Sequence, residues 1–344
     1  MKSMKHSGVQ IVIFVVALAG LLAVVTFEAN TSRGQSPSAS KSPGAEATES
    51  RVKPTVLMTD ARGESANEGA STASGFGSAA ARNAVLRNDL TWTLGGKQQR
   101  GWYLYTPLIK RLLDTDEDPT SDRFAGALAS WQKKSGLTPT GVLDEESLFA
   151  MASEWQGRRL KDRSYARPEQ LVTAPVSDFY DPERIDELRQ VERDTYAAYK
   201  RLVAAAITDP SLGLAQGSDG GLAPAEKYLK ILSSFRSREY QDQLRRQSPN
   251  AGRAGLAINS PHFTGRALDL YVGGDPVDTK DSNRASQVQT HVYQWLVRNA
   301  ERFGFRPYYY EPWHWEYVSE ESRKQKAEGS RQKAVGRKQQ DCPC

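Results

Sequence analysis

Only part of this 344-residue chain can build a core. Between residues 28 and 84 the sequence is dominated by Ser, Ala, Gly, Thr and Glu, and large apolar side chains are nearly absent. Such a stretch buries too little surface to offset the entropy of ordering it, and it reads as a disordered linker. Ahead of it, Val9 to Phe27 runs for nineteen residues without a charge. That is close to the roughly 20 residues needed to cross a bilayer. Lys2 and Lys5 precede the run, so residues 1–8 read as a cytoplasmic stub and everything after Glu28 as lying outside. The run is longer than the apolar core of a cleaved signal, and no clear small-x-small cleavage site follows it. A transmembrane signal anchor over 9–27 is therefore favoured over a cleaved signal peptide, and either one exports the rest of the chain. The expected location is the inner or cytoplasmic membrane, single-pass, with the body in the periplasm or outside the cell.

The net charge of +5 is concentrated at the other end. After Ser322 the chain carries Arg323, Lys324, Lys326, Arg331, Lys333, Arg337 and Lys338 against Glu328 and Asp341, which accounts for the whole excess. Residues 321–344 thus read as a basic disordered tail, with attraction to anionic polymer or lipid as the alternative. The tail has no aromatic side chain on which bases stack, and the export signal also argues against a nucleic-acid partner. The only cysteines, Cys342 and Cys344, lie in that tail, so no Cys-x-x-Cys zinc site and no disulfide framework is available to the body.

Two folded sections remain. In the first, residues 85–165, "DRFAGALASWQKKSG" spaces Phe124, Leu128 and Trp131 as on a helix, with Gly136 ending it. Asp144 is placed to cap a second helix carrying Leu148, Phe149, Ala152 and Trp155. "ALASWQKKSGLTPTGVLDEESL" resembles the second half of the peptidoglycan-binding repeat through Trp131, Gln132, Gly136, Leu137, Gly141 and Leu143. A generic helical spacer is the other reading of the same pattern.

The second section, residues 178–320, should open with a long helix. Asp181 caps it, Pro182 starts it, and Ile185, Leu188, Val191, Tyr196, Tyr199, Val203 and Ile207 form its apolar stripe. Beyond it "YLKILSSF" and "RALDLYV" read as strands, "REYQDQLRRQ" and "ASQVQTHVYQWLVRNAERFGF" as helices, and "RPYYYEPWHWEYV" as strand again. Strands and helices without a βαβ rhythm indicate an α+β fold with an antiparallel sheet and flanking helices, preceded by the small all-α section.

Of the four histidines, His6 precedes the uncharged run and His291 sits among Val288, Val292 and Trp295 on a helix, where packing is its expected role. His262 lies in a Ser-Pro-His loop feeding the strand that holds Asp269, and alternation sets Asp269 opposite Leu268 and Leu270. A carboxylate in an apolar strand is costly unless paired or metal-bound. His314 poses the same problem in the aromatic run "YYYEPWHWEY". Two imidazoles and one carboxylate suffice for catalytic zinc with water in the fourth position. Glu311 precedes His314 by three residues, and Pro312 between them makes a turn into a strand more reasonable than a helix. Glu316 shares the strand face of His314 and reads as an outer partner or a surface charge. Trp313, Trp315 and Tyr317 fall on the opposite face and are expected in the core.

"SFRSREYQ", "SPHFTGRALD" and "YYYEPWHWEY", in this order, resemble the three motifs of VanY-type D-alanyl-D-alanine carboxypeptidases, zinc peptidases of the lysostaphin, D-Ala-D-Ala peptidase and hedgehog group. Ser260, His262, Gly265, Ala267, Asp269, Glu311 and His314 occupy the family's pattern. The resemblance implies one Zn2+ held by His262, Asp269 and His314, with Glu311 as general base. It further implies that Arg236 binds the substrate's terminal carboxylate or stabilises the oxyanion, and that Ser260 supports the loop or a substrate hydrogen bond. Tyr310 is the pocket-wall candidate among the aromatics. The implied reaction removes the terminal D-alanine of peptidoglycan stem peptides. A peptidoglycan endopeptidase of the same fold is the alternative, and a non-catalytic wall-binding protein is disfavoured by the complete set of ligands and base.

Overall fold

The computed structural model describes residues 75–94, 97–247 and 259–319. The uncharged run at 9–27 and the basic tail with Cys342 and Cys344 lie outside these residues. Among the described residues no helix is long and apolar enough to cross a membrane.

The helical section begins at α1 (Gly77–Asp89), inside the stretch read as linker. Small residues make this possible: Ala79 and Ala80 are buried, and the Phe76 ring lies 3.6 Å from where a Cβ on Gly126 would stand. A two-stranded antiparallel hairpin, β1 (Thr91–Leu94) and β2 (Lys97–Arg100), follows, so the section expected to be all-α carries strands as well. Then come α2 (Thr106–Leu113), α3 (Asp122–Lys134) and α4 (Glu145–Arg158). Ser121 caps α3 by accepting the Phe124 N–H, and Asp144, as the sequence indicated, caps α4 by accepting the Ser147 N–H. Trp102, Ile109, Phe124, Leu128, Leu143, Leu148 and Met151 fill the space between them.

Gln132 explains the Trp-Gln-to-Gly pattern. Buried beside Trp131, its side-chain oxygen accepts the Gly141 N–H at 2.8 Å, and its amide donates to Ser147 Oγ at 2.9 Å and the Val142 carbonyl at 3.0 Å. Asn83 of α1 closes the same loop, donating to the Gly141 carbonyl and accepting the Leu143 N–H. Gly141 has φ +70°, and a Cβ there would stand 2.8 Å from the Ala125 carbonyl oxygen, so glycine is required.

The second section differs from expectation at its start. Helix α5 spans only Arg193–Ile207. Gln190–Glu192 forms β4, paired antiparallel with β3 (Leu171–Thr173). Burial of Val191 in that pair, together with the Glu192 side chain accepting the Thr195 N–H, starts the helix late. Asp181 caps only an isolated turn through Glu183, and Ile185 is exposed. Helix α6 covers Arg238–Gln247.

The amphipathic stretch read as one helix is two, α7 (Asp281–Gln289) and α8 (His291–Asn299). Thr290 between them is extended; its hydroxyl accepts the Tyr293 N–H and donates to the Val272 carbonyl at 2.8 Å. His291 is exposed at the first turn of α8 rather than packed.

The main sheet is antiparallel throughout, in the order β5 (Ile231–Ser233), β6 (Ala267–Leu270), β8 (Glu311–Tyr317), β7 (Phe305–Tyr308). Cross-strand partners share a face. Leu268 pairs with Trp315 on the core face, where the Tyr293 ring of α8 meets Trp315 edge-on at 6.3 Å. Trp313 is buried as well, as alternation required. Asp269 pairs with His314, and Ala267 with Glu316, on the other face.

Candidate metal centre

The sheet register brings Asp269 and His314 directly opposite one another at the centre of the main sheet. His314 Nδ1 lies 2.9 Å from Asp269 Oδ1. His262 arrives from a single helical turn, Pro261–Thr264, that Ser260 starts by accepting the His262 N–H. This is the loop-supporting role among those read for Ser260, whose side chain is buried. Gly265 ends the turn at φ +64°, where a Cβ would stand 2.9 Å from the Glu192 amide nitrogen, and its carbonyl accepts that same N–H.

His262 Nδ1 lies 2.7 Å from the Ser234 carbonyl. A carbonyl only accepts, so Nδ1 carries the hydrogen and Nε2 presents its lone pair. Burial, with the Arg236 charge adding to it, pushes the His262 ring down to about 4, so it is neutral at neutral pH. Its Nε2 stands 3.3 Å from Asp269 Oδ2, two acceptors side by side. His314 is different. Burial works against its charge, but hydrogen bonds to Asp269 and Glu316 carry it up to about 9. As an imidazolium it donates Nδ1–H to Asp269 and Nε2–H to Glu316 Oε1, 3.3 Å away. Asp269 is held well below the usual carboxylate range: burial opposes this, but the hydrogen bond from His314 and the charge of Arg236 outweigh it.

One ligand atom from each of His262, Asp269 and His314 lies within 4.8 Å of the others, and all three side chains are buried. Neutral imidazole, carboxylate and a second imidazole whose inner proton is displaceable form a donor set suited to a divalent cation of the zinc type. The paired acceptors of His262 and Asp269 fit such a cation.

Glu311 opens β8 and is buried. Strict alternation would turn it away from His314, but the ladder shifts register between Pro307 and Tyr308, where Tyr308 pairs with Glu311. Burial pushes its carboxyl up to about 7, with the His314 charge opposing and Asp269 reinforcing.

Arg236 is buried and tied on all sides. Its Nε donates to Ser233 Oγ at 2.8 Å, Nη1 to Gln241 Oε1 at 3.4 Å and Nη2 to Asp269 Oδ2 at 2.7 Å. In this arrangement the guanidinium braces Asp269. Tyr310 packs beneath the Arg284 guanidinium, 4.2 Å from its ring centroid.

The aromatic ring against the candidate ligands is Tyr308, which meets the His314 ring edge-on at 6.0 Å. Sequence reasoning missed Tyr308, Ser234 and Arg159, since none belongs to a spacing pattern that points at the histidines.

Residues 222–320 match the VanY family, described as D-alanyl-D-alanine carboxypeptidase. That span holds Arg236, His262, Asp269, Glu311 and His314, and it excludes the helical section. No curated protein sequence matches the chain. Among solved structures, the chain is similar to the LdcB LD-carboxypeptidase at 23% identity, over 46% of this chain and 72% of that one, with a TM-score of 0.32. A VanY D,D-pentapeptidase variant from a VanB-type vancomycin-resistance cassette, in complex with Zn(II), aligns at 19% identity over 48% and 89%, with a TM-score of 0.28. DacB from Streptococcus pneumoniae D39 aligns at 19% identity over 48% and 91%, with a TM-score of 0.26.

Proposed function

We propose that this chain is a zinc-dependent D-alanyl-D-alanine carboxypeptidase that removes the terminal D-alanine from peptidoglycan stem peptides. The observation that carries the reading is the convergence of His262, Asp269 and His314 beside a buried Glu311 whose carboxyl is raised to about 7, within the span matched by VanY. His262 would bind one Zn2+ through Nε2, Asp269 through a carboxylate oxygen and His314 through Nδ1. When bound, the ion would polarise the scissile carbonyl and ease deprotonation of the attacking water. Glu311 takes that proton onto its carboxylate and returns it to the leaving amine. The Tyr308 ring packed against His314 and the bracing of Asp269 by Arg236 would hold the ligands in place. The uncharged run at 9–27 supports a location outside the cytoplasm for this reaction. The Gln132-clamped loop of the helical section supports a peptidoglycan-binding role for that section.

A second reading, an endopeptidase acting on an internal bond of the stem or cross-bridge, is favoured by Arg236. Three of its five N–H donors are directed to Ser233, Gln241 and Asp269, which turns the guanidinium toward the protein rather than toward a terminal carboxylate. The two are separated by incubating the protein with a pentapeptide stem, with and without chelator, and reading the products by mass spectrometry. Chelator-sensitive loss of one alanine supports the carboxypeptidase, and internal cleavage supports the endopeptidase. No cleavage together with no bound zinc would overturn both.

A further inference from the structure

Glu316 sits on the site face of β8, two residues beyond His314, and its side chain is fully buried. A buried carboxylate must be paired to persist. One partner is His314, whose Nε2 lies 3.3 Å from Glu316 Oε1. The others come from more than 150 positions earlier in the chain, just past the end of α4. The backbone N–H of Leu160 donates to Glu316 Oε2 at 2.9 Å. The Arg159 guanidinium donates to Oε1, and Arg163 Nη1 approaches the same oxygen at 3.5 Å. The Arg159 guanidinium also lies over the Tyr308 ring, 4.0 Å from its centroid, and Tyr308 in turn abuts the His314 ring. The segment leaving the helical section therefore reaches the candidate ligand by two routes, one ionic and one through an aromatic face.

We infer that the helical section completes the metal centre: Arg159 and the Leu160 N–H fix the carboxylate of Glu316, and Glu316 fixes the His314 ring so that Nδ1 faces the cation. This rests on the zinc reading above. The physical basis is that a ligating imidazole takes its orientation and tautomer from whatever its outer nitrogen bonds, and loss of such a partner typically costs about 10- to 100-fold in metal affinity. Leu160 supplies a fixed backbone donor, whereas Arg159 supplies charge and covers the site. Glu316 is a positioning residue here, and Arg159 acts through it. The residues matched by VanY hold the ligands but none of these outer donors, since the match begins at residue 222. On this account the sheet section depends on its helical neighbour for the geometry of its own centre.

The test uses the full chain and three variants, Glu316→Gln, Arg159→Gln and the double variant. Glu316→Gln keeps the side chain's shape and an oxygen acceptor, so it separates loss of charge from loss of packing. For each protein, far-UV circular dichroism and thermal melting report folding, zinc affinity is measured by competition with a chromophoric chelator, and Co2+ substitution reports ligand geometry through its visible spectrum. We expect both single variants to fold, to bind zinc about tenfold or more weakly and to alter the Co2+ spectrum. We expect the double variant to lose less than the sum of the two single losses, because the ionic route of Arg159 runs through Glu316 and only its contact with Tyr308 is independent of it. Unchanged affinity and spectrum in folded single variants would overturn the inference, as would additive losses in the double variant. If either single variant fails to fold, Arg159→Lys decides: retained fold with a weakened, spectrally altered site supports the inference, and a site like that of the unsubstituted protein overturns it. A wild-type chain that binds no zinc sinks the functional proposal instead, so the two failures are distinguishable.

Discussion

Asp269 and His314 are a registered cross-strand pair, joined Oδ1 to Nδ1 at 2.9 Å across the centre of an antiparallel sheet. Strand pairing, rather than a flexible loop, sets the distance between two of the three candidate ligands. Replacing either should therefore abolish metal binding without moving its neighbour. His314→Ala is expected to lose both zinc and turnover. Glu311→Gln should keep zinc, because Glu311 lies outside the His262, Asp269 and His314 cluster, and lose about 100- to 10,000-fold in kcat, the usual contribution of a general base. Metal analysis beside stem-peptide turnover checks the pair. Loss of zinc from Glu311→Gln would make Glu311 a ligand.

In the metal-free protein His314 holds a proton up to about pH 9. Its folded value is raised, so its contribution to stability is fully present below the ordinary imidazole value of about 6.5 and is lost as pH rises through about 9. A cation at Nδ1 must displace that proton. Metal binding should therefore release about one proton near pH 7, and affinity should rise about tenfold per pH unit until the proton is gone. Calorimetry of zinc binding by Glu311→Gln, which removes the other group titrating near pH 7, in buffers of different ionisation enthalpy counts the proton. A count of zero at pH 7 would mean that His314 is already neutral.

The cluster of His262, Asp269 and His314 was legible because its three members lie in two short motifs, and because an acid within Leu-Asp-Leu has few uses besides pairing or coordination. The sheet was legible for the same reason, as alternation assigns Leu268, Trp313 and Trp315 to one face without knowledge of any partner. The start of α5 was not. Ile185, Leu188 and Val191 keep helical spacing, but Val191 is claimed by a strand pair with Val172, a long-range contact that local periodicity does not carry. Glu316 was legible as an outer partner of His314, but the groups that hold it were hidden: Arg159 and Leu160 reach it across more than 150 residues.

Gly265 ends the turn that presents His262. Its φ of +64° disfavours any side chain, and a Cβ would stand 2.9 Å from the Glu192 amide nitrogen and 3.0 Å from a Leu171 methyl carbon. Gly265→Ala should cost at least about 1–2 kcal/mol for the left-handed backbone alone. The contact with β4 would add to this, because it is backbone and cannot swing aside. Relief of the clash would move the turn, so zinc affinity should fall along with the melting temperature. A variant as stable as the unsubstituted protein would show that β3 and β4 separate readily from the His262 turn.

Gln132 offers a test within the helical section, remote in sequence from the ligands. Its buried amide satisfies the Gly141 N–H, the Val142 carbonyl and Ser147 Oγ together. Gln132→Leu keeps most of the volume but leaves the Gly141 N–H facing an apolar side chain. An unsatisfied buried group of this kind costs about 1–3 kcal/mol, and the loop from Thr138 to Leu143 should loosen first. Hydrogen exchange at the Gly141 amide is expected to speed up before exchange in the main sheet changes. Were exchange to rise equally in β6 and β8, the helical section and the sheet would be unfolding as one cooperative unit, with Glu316 as one of the bonds that couples them.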